Sequence, residues 1–287
     1  SLLGLLGSVN QSLIVAGIGA VAGVVGGLAG VGGSMIILPA LALVFQFTEP
    51  ERPEQHVYAA AAMIVNVLVA IPATWRHWRA GVYRPDLLRW LLPTMAVSIV
   101  AGVLISNRVD GRVLQRVLAG MIAWDAMVNL YRLTRRIDES TLGPERVGAP
   151  VMITAGVTAG LAGGIAGLGG GGLIVPILQV AGRVKLREAI ATSAMTMCVT
   201  SLIGASLKLA TMHSRGVAPA DAARLAALMA PGAVFGSMLG ATLTHRLPLG
   251  VLRPKRISAN AWPAPCPPKK AASTAGVPAS QGIATAS

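Results

Sequence analysis

Seven apolar stretches divide the chain, at roughly 11–47, 57–75, 87–106, 112–131, 150–182, 189–212 and 222–245. Most hold about twenty residues, the length an α-helix needs to cross a hydrocarbon core of about 30 Å. Backbone polar groups inside that core must bond to one another, so a bundle of helices is the fold open to such a chain. Charged residues make up only 12% of the sequence, about half the share of a soluble domain. The expected class is an all-α polytopic membrane protein. The net charge of +13 does not point to nucleic acid, because the basic residues fall in short clusters between apolar runs and aromatic residues are only 4%. Cys198 sits in an apolar run and Cys266 in a proline-rich tail, so no disulfide is expected. No basic segment precedes the first apolar run, which argues against a cleaved signal peptide.

The chain repeats itself. Gly19–Leu41 aligns with Gly156–Leu178 at an offset of 137, and 12 of the 23 positions are identical: glycines 19, 23, 26, 27, 30, 32 and 33, Ala22, Ala29, Ile37, Pro39 and Leu41. Weaker matches follow in the same order. "AAAAM" (59–63) meets "ATSAM" (191–195), Arg76 meets Lys208, and Pro93, Gly102 and Arg108 meet Pro231, Gly240 and Arg246. The expected organisation is two homologous transmembrane repeats, 11–133 and 150–247, joined by a loop at 134–149 and followed by a disordered Pro/Ala-rich tail at 248–287. The first repeat ends in an apolar stretch at 113–133. After Val251 and Leu252 the second breaks into "RPKRISANAWPAPCPP", so its last helix is expected to be missing. Helix 113–133 is expected to pack on its own hairpin, leaving one face of the second hairpin uncovered unless a second copy of the chain fills it.

Two glycine patterns overlap in each repeat. Gly19, Gly23, Gly27 and Gly156, Gly160, Gly164 recur every four residues, the spacing that lets membrane helices approach closely. "GVGGS" (30–34) and "GLGGGG" (167–172) are different, because packing does not need consecutive glycines. They favour an unwound turn, since glycine takes positive φ without a steric penalty. Irregular backbone at membrane depth is tolerated only when buried in protein or lining a cavity. Residues 34–47 would span only about 21 Å as a helix, so each long glycine segment is expected to form a bent or re-entrant hairpin, with Pro39 and Pro176 as helix breaks. A second arm starting after the glycines places free N–H groups and a positive dipole end inside the membrane, where an anion is favoured.

Loop charges favour that hairpin. If each hairpin returns to its starting side, the halves are inverted. One side then holds fifteen Lys and Arg: 76, 79, 84 and 89; 132, 135, 136 and 146; 183, 185 and 187; 246, 253, 255 and 256. The other holds seven, at 52, 108, 112, 116, 208, 215 and 224. A single crossing would give eleven on each side. The positive-inside rule prefers the first arrangement.

The candidate substrate-binding residues are therefore Gly30, Gly32, Gly33, Ser34, Gly167, Gly169, Gly170, Gly171 and Gly172, with Asn66, Thr192 and Ser193 on the following helices. Thr192, Ser193, Thr196 and Asn66 could equally make helix–helix hydrogen bonds. Asp125, about 13 residues into helix 113–133, is a candidate proton carrier, since an intramembrane carboxylate is costly unless paired or functional; Asn129 or Arg132 could pair it locally. The glycines are not a phosphate loop, because no lysine follows them. His56, His77, His213 and His245 are isolated near loops and expected at the interface. No His, Cys, Asp or Glu cluster has metal-ligand spacing, and no nucleophile–base set suggests an enzyme.

The paired motifs "GVGGSMIILPAL" (30–41) and "GLGGGGLIVPIL" (167–178), with "ATSAM" after the second, resemble the sulfite exporter TauE/SafE family over about residues 12–250. The resemblance implies a multi-pass permease of the bacterial inner membrane, without a cofactor, moving sulfite, organosulfonates or related small anions. Ser34 and Met35 depart from the pattern by standing where the second repeat has Gly171 and Gly172. A membrane-embedded accessory protein with no solute of its own is the alternative. Polar groups beside the glycine turns would favour the transporter.

Overall fold

The computed structural model describes residues 9–45, 54–82, 84–134, 144–212 and 218–246. The expected tail and most of the connecting loop lie outside them, as does the place of the missing helix. Among the described residues the regular structure is entirely helical: α1 (Val9–Ala29), α2 (Ser34–Phe45), α3 (Glu54–Arg79), α4 (Pro85–Ser106), α5 (Gly111–Thr134), α6 (Ala149–Ala166), α7 (Gly171–Val180), α8 (Leu186–Met212) and α9 (Pro219–Arg246). Six of these (α1, α3, α4, α6, α8 and α9) are long and apolar enough to cross a membrane. α5 has the length but is less apolar, carrying Arg112, Arg116, Asp125 and Arg132. α2 and α7, at 12 and 10 residues, reach about 18 and 15 Å and cannot span.

The four-residue glycine spacing decides how the helices meet. A Cβ added to Gly19, Gly23 or Gly27 would lie 2.4, 2.2 or 2.4 Å from the carbonyl oxygens of Met229, Ala233 and Ser237. Glycines of α9 return the contact: added carbons on Gly232, Gly236 and Gly240 would sit 2.7, 2.4 and 2.1 Å from the carbonyls of Ala16, Ala20 and Val24. Two backbones thus lie against each other along three turns, close enough for Cα–H to carbonyl contacts. α6 and α4 form a second seam. Gly156 faces Thr94, Gly160 faces Met95 and Ser98, Gly164 faces Ile99, and Gly102 faces Leu161.

Residue numbers rise together along both seams, so α1 runs parallel to α9 and α6 to α4. α3 and α8 run antiparallel at the centre: His56 meets Lys208, and Met63 meets Gly204. α9 lies parallel to α3, with Val69 near Ser237 and Arg76 near Thr242. α2 runs against α3, since Ser34 meets Asn66 and Phe45 meets Tyr58. α1 and α3 therefore point the same way while α2 points back, which makes α1–α2 a hairpin. By the same reasoning α1, α3 and α9 oppose α6, α8 and α4.

Two expectations are corrected. Pro39 and Pro176 do not break their helices. Each lies inside one, as the sixth residue of α2 and of α7, and the helix continues past it with the loss of one backbone hydrogen bond. The break is made by the glycines alone. Secondly, α5 does not cover its own hairpin. It packs chiefly on α6 and α7 of the second half and on α3. The chain passes from α5 directly into α6, and consecutive elements tend to lie side by side. The second hairpin is thus the one that α5 covers.

Candidate functional site

Both helix interruptions use glycine because their backbone requires it. Gly30 and Gly32 have φ of 67° and 82°, and Gly167, Gly169 and Gly170 have 78°, 68° and 83°. A side chain at these values is strained. Space is also lacking. A Cβ on Gly167 would lie 2.5 Å from the Ala59 Cβ, and one on Gly30 would lie 2.9 Å from Ile190. Each turn thus seats against the central helix of the other half.

The two tips meet. An added carbon on Gly171 would approach the Met197 sulfur at 2.6 Å and the Val31 carbonyl at 3.2 Å, and one on Gly172 would touch Met35 at 2.5 Å. The N-termini of α2 and α7 therefore converge at the middle of the bundle. Asn66, midway along α3, ties them together. Its Oδ1 accepts from the Ser34 N–H (3.1 Å), and its Nδ2 donates to Ser34 Oγ (2.9 Å) and the Leu168 carbonyl (3.0 Å). Ser34 Oγ is also 3.3 Å from that carbonyl. On α8, Ser193 Oγ lies 2.6 Å from the Gly30 carbonyl and 3.1 Å from that of Gly171. Thr200 donates to the Gly169 carbonyl at 2.7 Å. All four side chains are fully buried.

The two helix starts are not treated alike. Asn66 caps α2 by accepting from its first N–H. α7 begins after Gly170 with no side-chain cap, although the opening N–H groups of any helix lack intrahelical partners. Ser201 Oγ stands beside this end, fully buried and without a hydrogen-bond partner. A carbon added to Gly169 would lie 2.0 Å from that oxygen and 3.5 Å from Asn66 Nδ2.

Not every residue expected at the site reaches it. Thr192 and Thr196 bond back to their own helix, at the carbonyls of Glu188 and Thr192. Gly33 starts α2, its carbonyl accepting from Ile36 and Ile37. Asp125 lies on α5, where Asn129 Nδ2 donates to its Oδ2 at 3.1 Å. Thr200, Ser201 and Met197 were not foreseen. In sequence they are three polar or soft residues on a buried helix, and only the turn's path singles them out.

His56 and His77 stand third from the two ends of α3, as expected from their places near loops, and both are covered by protein, at 3% and 0% exposure. α3 is the innermost helix, flanked by α8 and α9 along its length, so even its ends are covered. His213 and the side chain of His245 lie outside the described residues. His56 Nδ1 lies 3.0 Å from Lys208 Nζ, which also donates to Ser106. At the opposite end Arg84, just before α4, bridges Asp86, Glu145 and Glu188. Its guanidinium is held well above its ordinary pKa, first by the hydrogen bond to Asp86, with burial opposing and Glu145 adding to the rise. No group of three or more metal-ligating side chains occurs among the described residues.

Six membrane-length helices enclosing two half-helices whose N-termini meet define a multi-pass membrane protein. A family model described as "Sulfite exporter TauE/SafE" matches residues 15–255, and the chain belongs to that family. It is 25% identical over 242 residues to a "Probable membrane transporter protein" of Haemophilus influenzae, an alignment covering 82% of this chain and 90% of that one. It is 24% identical over 244 residues to a probable membrane transporter protein of Methanocaldococcus jannaschii, covering 80% and 85%. The "Probable membrane transporter protein MamO" of Magnetospirillum gryphiswaldense is 26% identical over 81% of this chain, which spans 41% of that longer protein. No solved structure matches the chain. A bacterial inner-membrane location agrees with the six candidate spans and the bacterial relatives.

Proposed function

We propose that the chain is a secondary transporter of small sulfur-containing oxyanions, such as sulfite or organosulfonates, and that the anion binds at the start of α7. The observation that carries this is the uncapped N-terminus of α7 at the bundle centre, beside the unpartnered Ser201 hydroxyl. Two helix dipoles converge there, each equivalent to about half a positive charge at its N-terminal end. An oxyanion would accept from the N–H groups of Gly171, Gly172 and the next residue, and from Ser201. Oxygen acceptors suit this ring of donors better than a cation would. Asn66 and Ser34 hold the opposing tip in register.

In this reading the halves are inverted copies, as the opposed directions of α1 and α6 and of α3 and α8 suggest, and the hairpins enter from opposite faces. The side rich in Lys and Arg is cytoplasmic. An accessory protein would have no use for an open helix end facing a lone buried hydroxyl. The test is a thermal-shift panel of purified protein in sulfite, sulfate, thiosulfate and taurine. At least one is expected to raise the melting temperature by several degrees, with Ser201→Ala reducing the rise. A panel that shifts nothing removes the anion reading.

Asp125 remains available as a proton carrier by charge alone. Asn129 donates to its Oδ2, which favours the simpler reading, while its Oδ1 is buried without a partner. Flux driven by a pH gradient is therefore expected to keep the same pH profile in Asp125→Asn. A displaced profile would return Asp125 to the mechanism.

A further inference from the structure

The centre of the bundle binds through dipoles and hydroxyls. No Lys, Arg or His lies among the residues that meet there. Two cations stand on either side of it instead. Lys208 lies seven residues beyond Ser201 on α8, about 10 Å along the helix axis. Arg76 lies ten residues beyond Asn66 on α3, about 15 Å along. α3 and α8 are antiparallel, so these displacements point to opposite faces of the membrane. The two residues also align with each other when the halves are superimposed in sequence.

Their surroundings correspond as well. Lys208 Nζ donates to Ser106 Oγ at the end of α4, and Arg76 Nη2 donates to Thr242 Oγ1 at 2.6 Å near the end of α9. Each cation thus sits between the central helix of one half and the fourth helix of the other, held by a hydroxyl. Lys208 also has a buried histidine beside it, His56, at 3.0 Å. Lys208 is only 2% exposed. A buried ammonium in a membrane bundle is expensive and is kept at functional positions. The same turn of α3 that supplies His56 also holds Gln55, 1% exposed, with neither amide atom bonded in the structure. A buried amide with both atoms unmet is a place where a small polar ligand replaces lost hydrogen bonds.

We infer that Lys208 and Arg76 are two entry sites for the transported anion, one for each face, through which it passes on its way to and from the α7 N-terminus. Lys208, with Ser106 and His56, receives an oxyanion from the face where α3 begins. Arg76, with Thr242, receives it from the face where α3 ends. A point charge on either side of the centre favours the anion there. The neutral centre then holds it weakly enough to release it to either side. The inference rests on the anion-transport reading above and adds to it a separate site for each face.

The experiment uses the full chain in membrane vesicles of both orientations, with radiolabelled sulfite as the probe. Lys208→Met should raise the KM about tenfold for entry from its own face, and leave the KM from the opposite face within about twofold. Arg76→Gln should do the reverse. Lys208→Arg should restore most of the affinity, which a merely structural loss would not allow, and the melting temperature of each variant monitors folding. Equal changes from both faces, or none, overturn the inference while leaving the transporter reading intact. A wild-type protein that neither moves sulfite nor is stabilised by any anion of the panel fails the transporter reading, and the entry sites with it.

Discussion

Replacement of Gly169 by valine (Gly169→Val) is expected to abolish anion flux while the protein still inserts in the membrane. Gly169 has a φ of 68°, a region that costs an ordinary residue about 1–2 kcal/mol and a β-branched one more. Its added carbon would fall 2.0 Å from Ser201 Oγ, so the hydroxyl proposed to meet the anion must move. The turn sits on no lipid-facing surface, and the six long spans that direct insertion are untouched. Gly32→Val should act alike, since φ is 82° and the new carbon would meet the Met197 sulfur at 2.6 Å and Asn66 Oδ1 at 3.0 Å. Gly120→Val on α5 is the control, because nothing lies within 4 Å of its added carbon. Transport of sulfite in proteoliposomes reads the result. Normal flux in both turn variants would show that the turns do not shape the site.

The second large effect concerns folding. Gly236→Leu should prevent a stable bundle from forming, seen as loss of the monodisperse peak on size exclusion in detergent. An added carbon there would lie 2.4 Å from the Ala20 carbonyl and 2.8 Å from the Val24 nitrogen. Both are backbone atoms and cannot turn aside as a side chain can. The whole of α9 would have to retreat from α1, and the neighbouring contacts at Gly19, Gly23, Gly27, Gly232 and Gly240 would open with it. Overpacking a rigid core commonly costs about 1–3 kcal/mol, and here the penalty extends over three turns. Gly17→Leu, on the same helix as half of this seam but in open space, should be harmless. If Gly236→Leu yields a normal peak and melting temperature, the close approach of α1 and α9 is not what holds the bundle.

Much of the architecture was legible because glycine carries distinct messages at distinct spacings. The four-residue series announced close helix contact, and the consecutive series announced the turns. Asn66 and Ser193 drew notice because polar side chains are conspicuous in apolar helices, and both bond to the turns. The partners of the seams were not. Gly19, Gly23 and Gly27 could have met any small-residue stripe, and only the assembled bundle shows that Gly232, Gly236 and Gly240 receive them. In a membrane both faces of a helix are apolar, so periodicity does not reveal which face is buried. The same loss of contrast hid that His56 and His77, near the ends of α3, are covered by neighbouring helices. α5 was assigned to the wrong hairpin because sequence order names neighbours along the chain, whereas the hairpin it covers belongs to the half that follows. Pro39 and Pro176 misled because proline in a helix interior is disruptive, yet each of these helices continues past its proline.

The crossed seams also have a consequence for how the chain is made. α1 emerges from the ribosome well before α9, whose partner strip lies about 210 residues later. At about 5–20 residues per second, that is a wait of roughly 10–40 s, during which the bare glycine stripe of α1 has only lipid or the insertion machinery to rest against. The α6 seam has no such delay, since α4 is already in the bilayer when α6 arrives. The second half thus docks onto a finished surface, and the first half remains open until the second closes it. A nascent chain halted before α9 would carry one completed seam and one exposed stripe, the kind of half-assembled substrate that a membrane protease can recognise and remove.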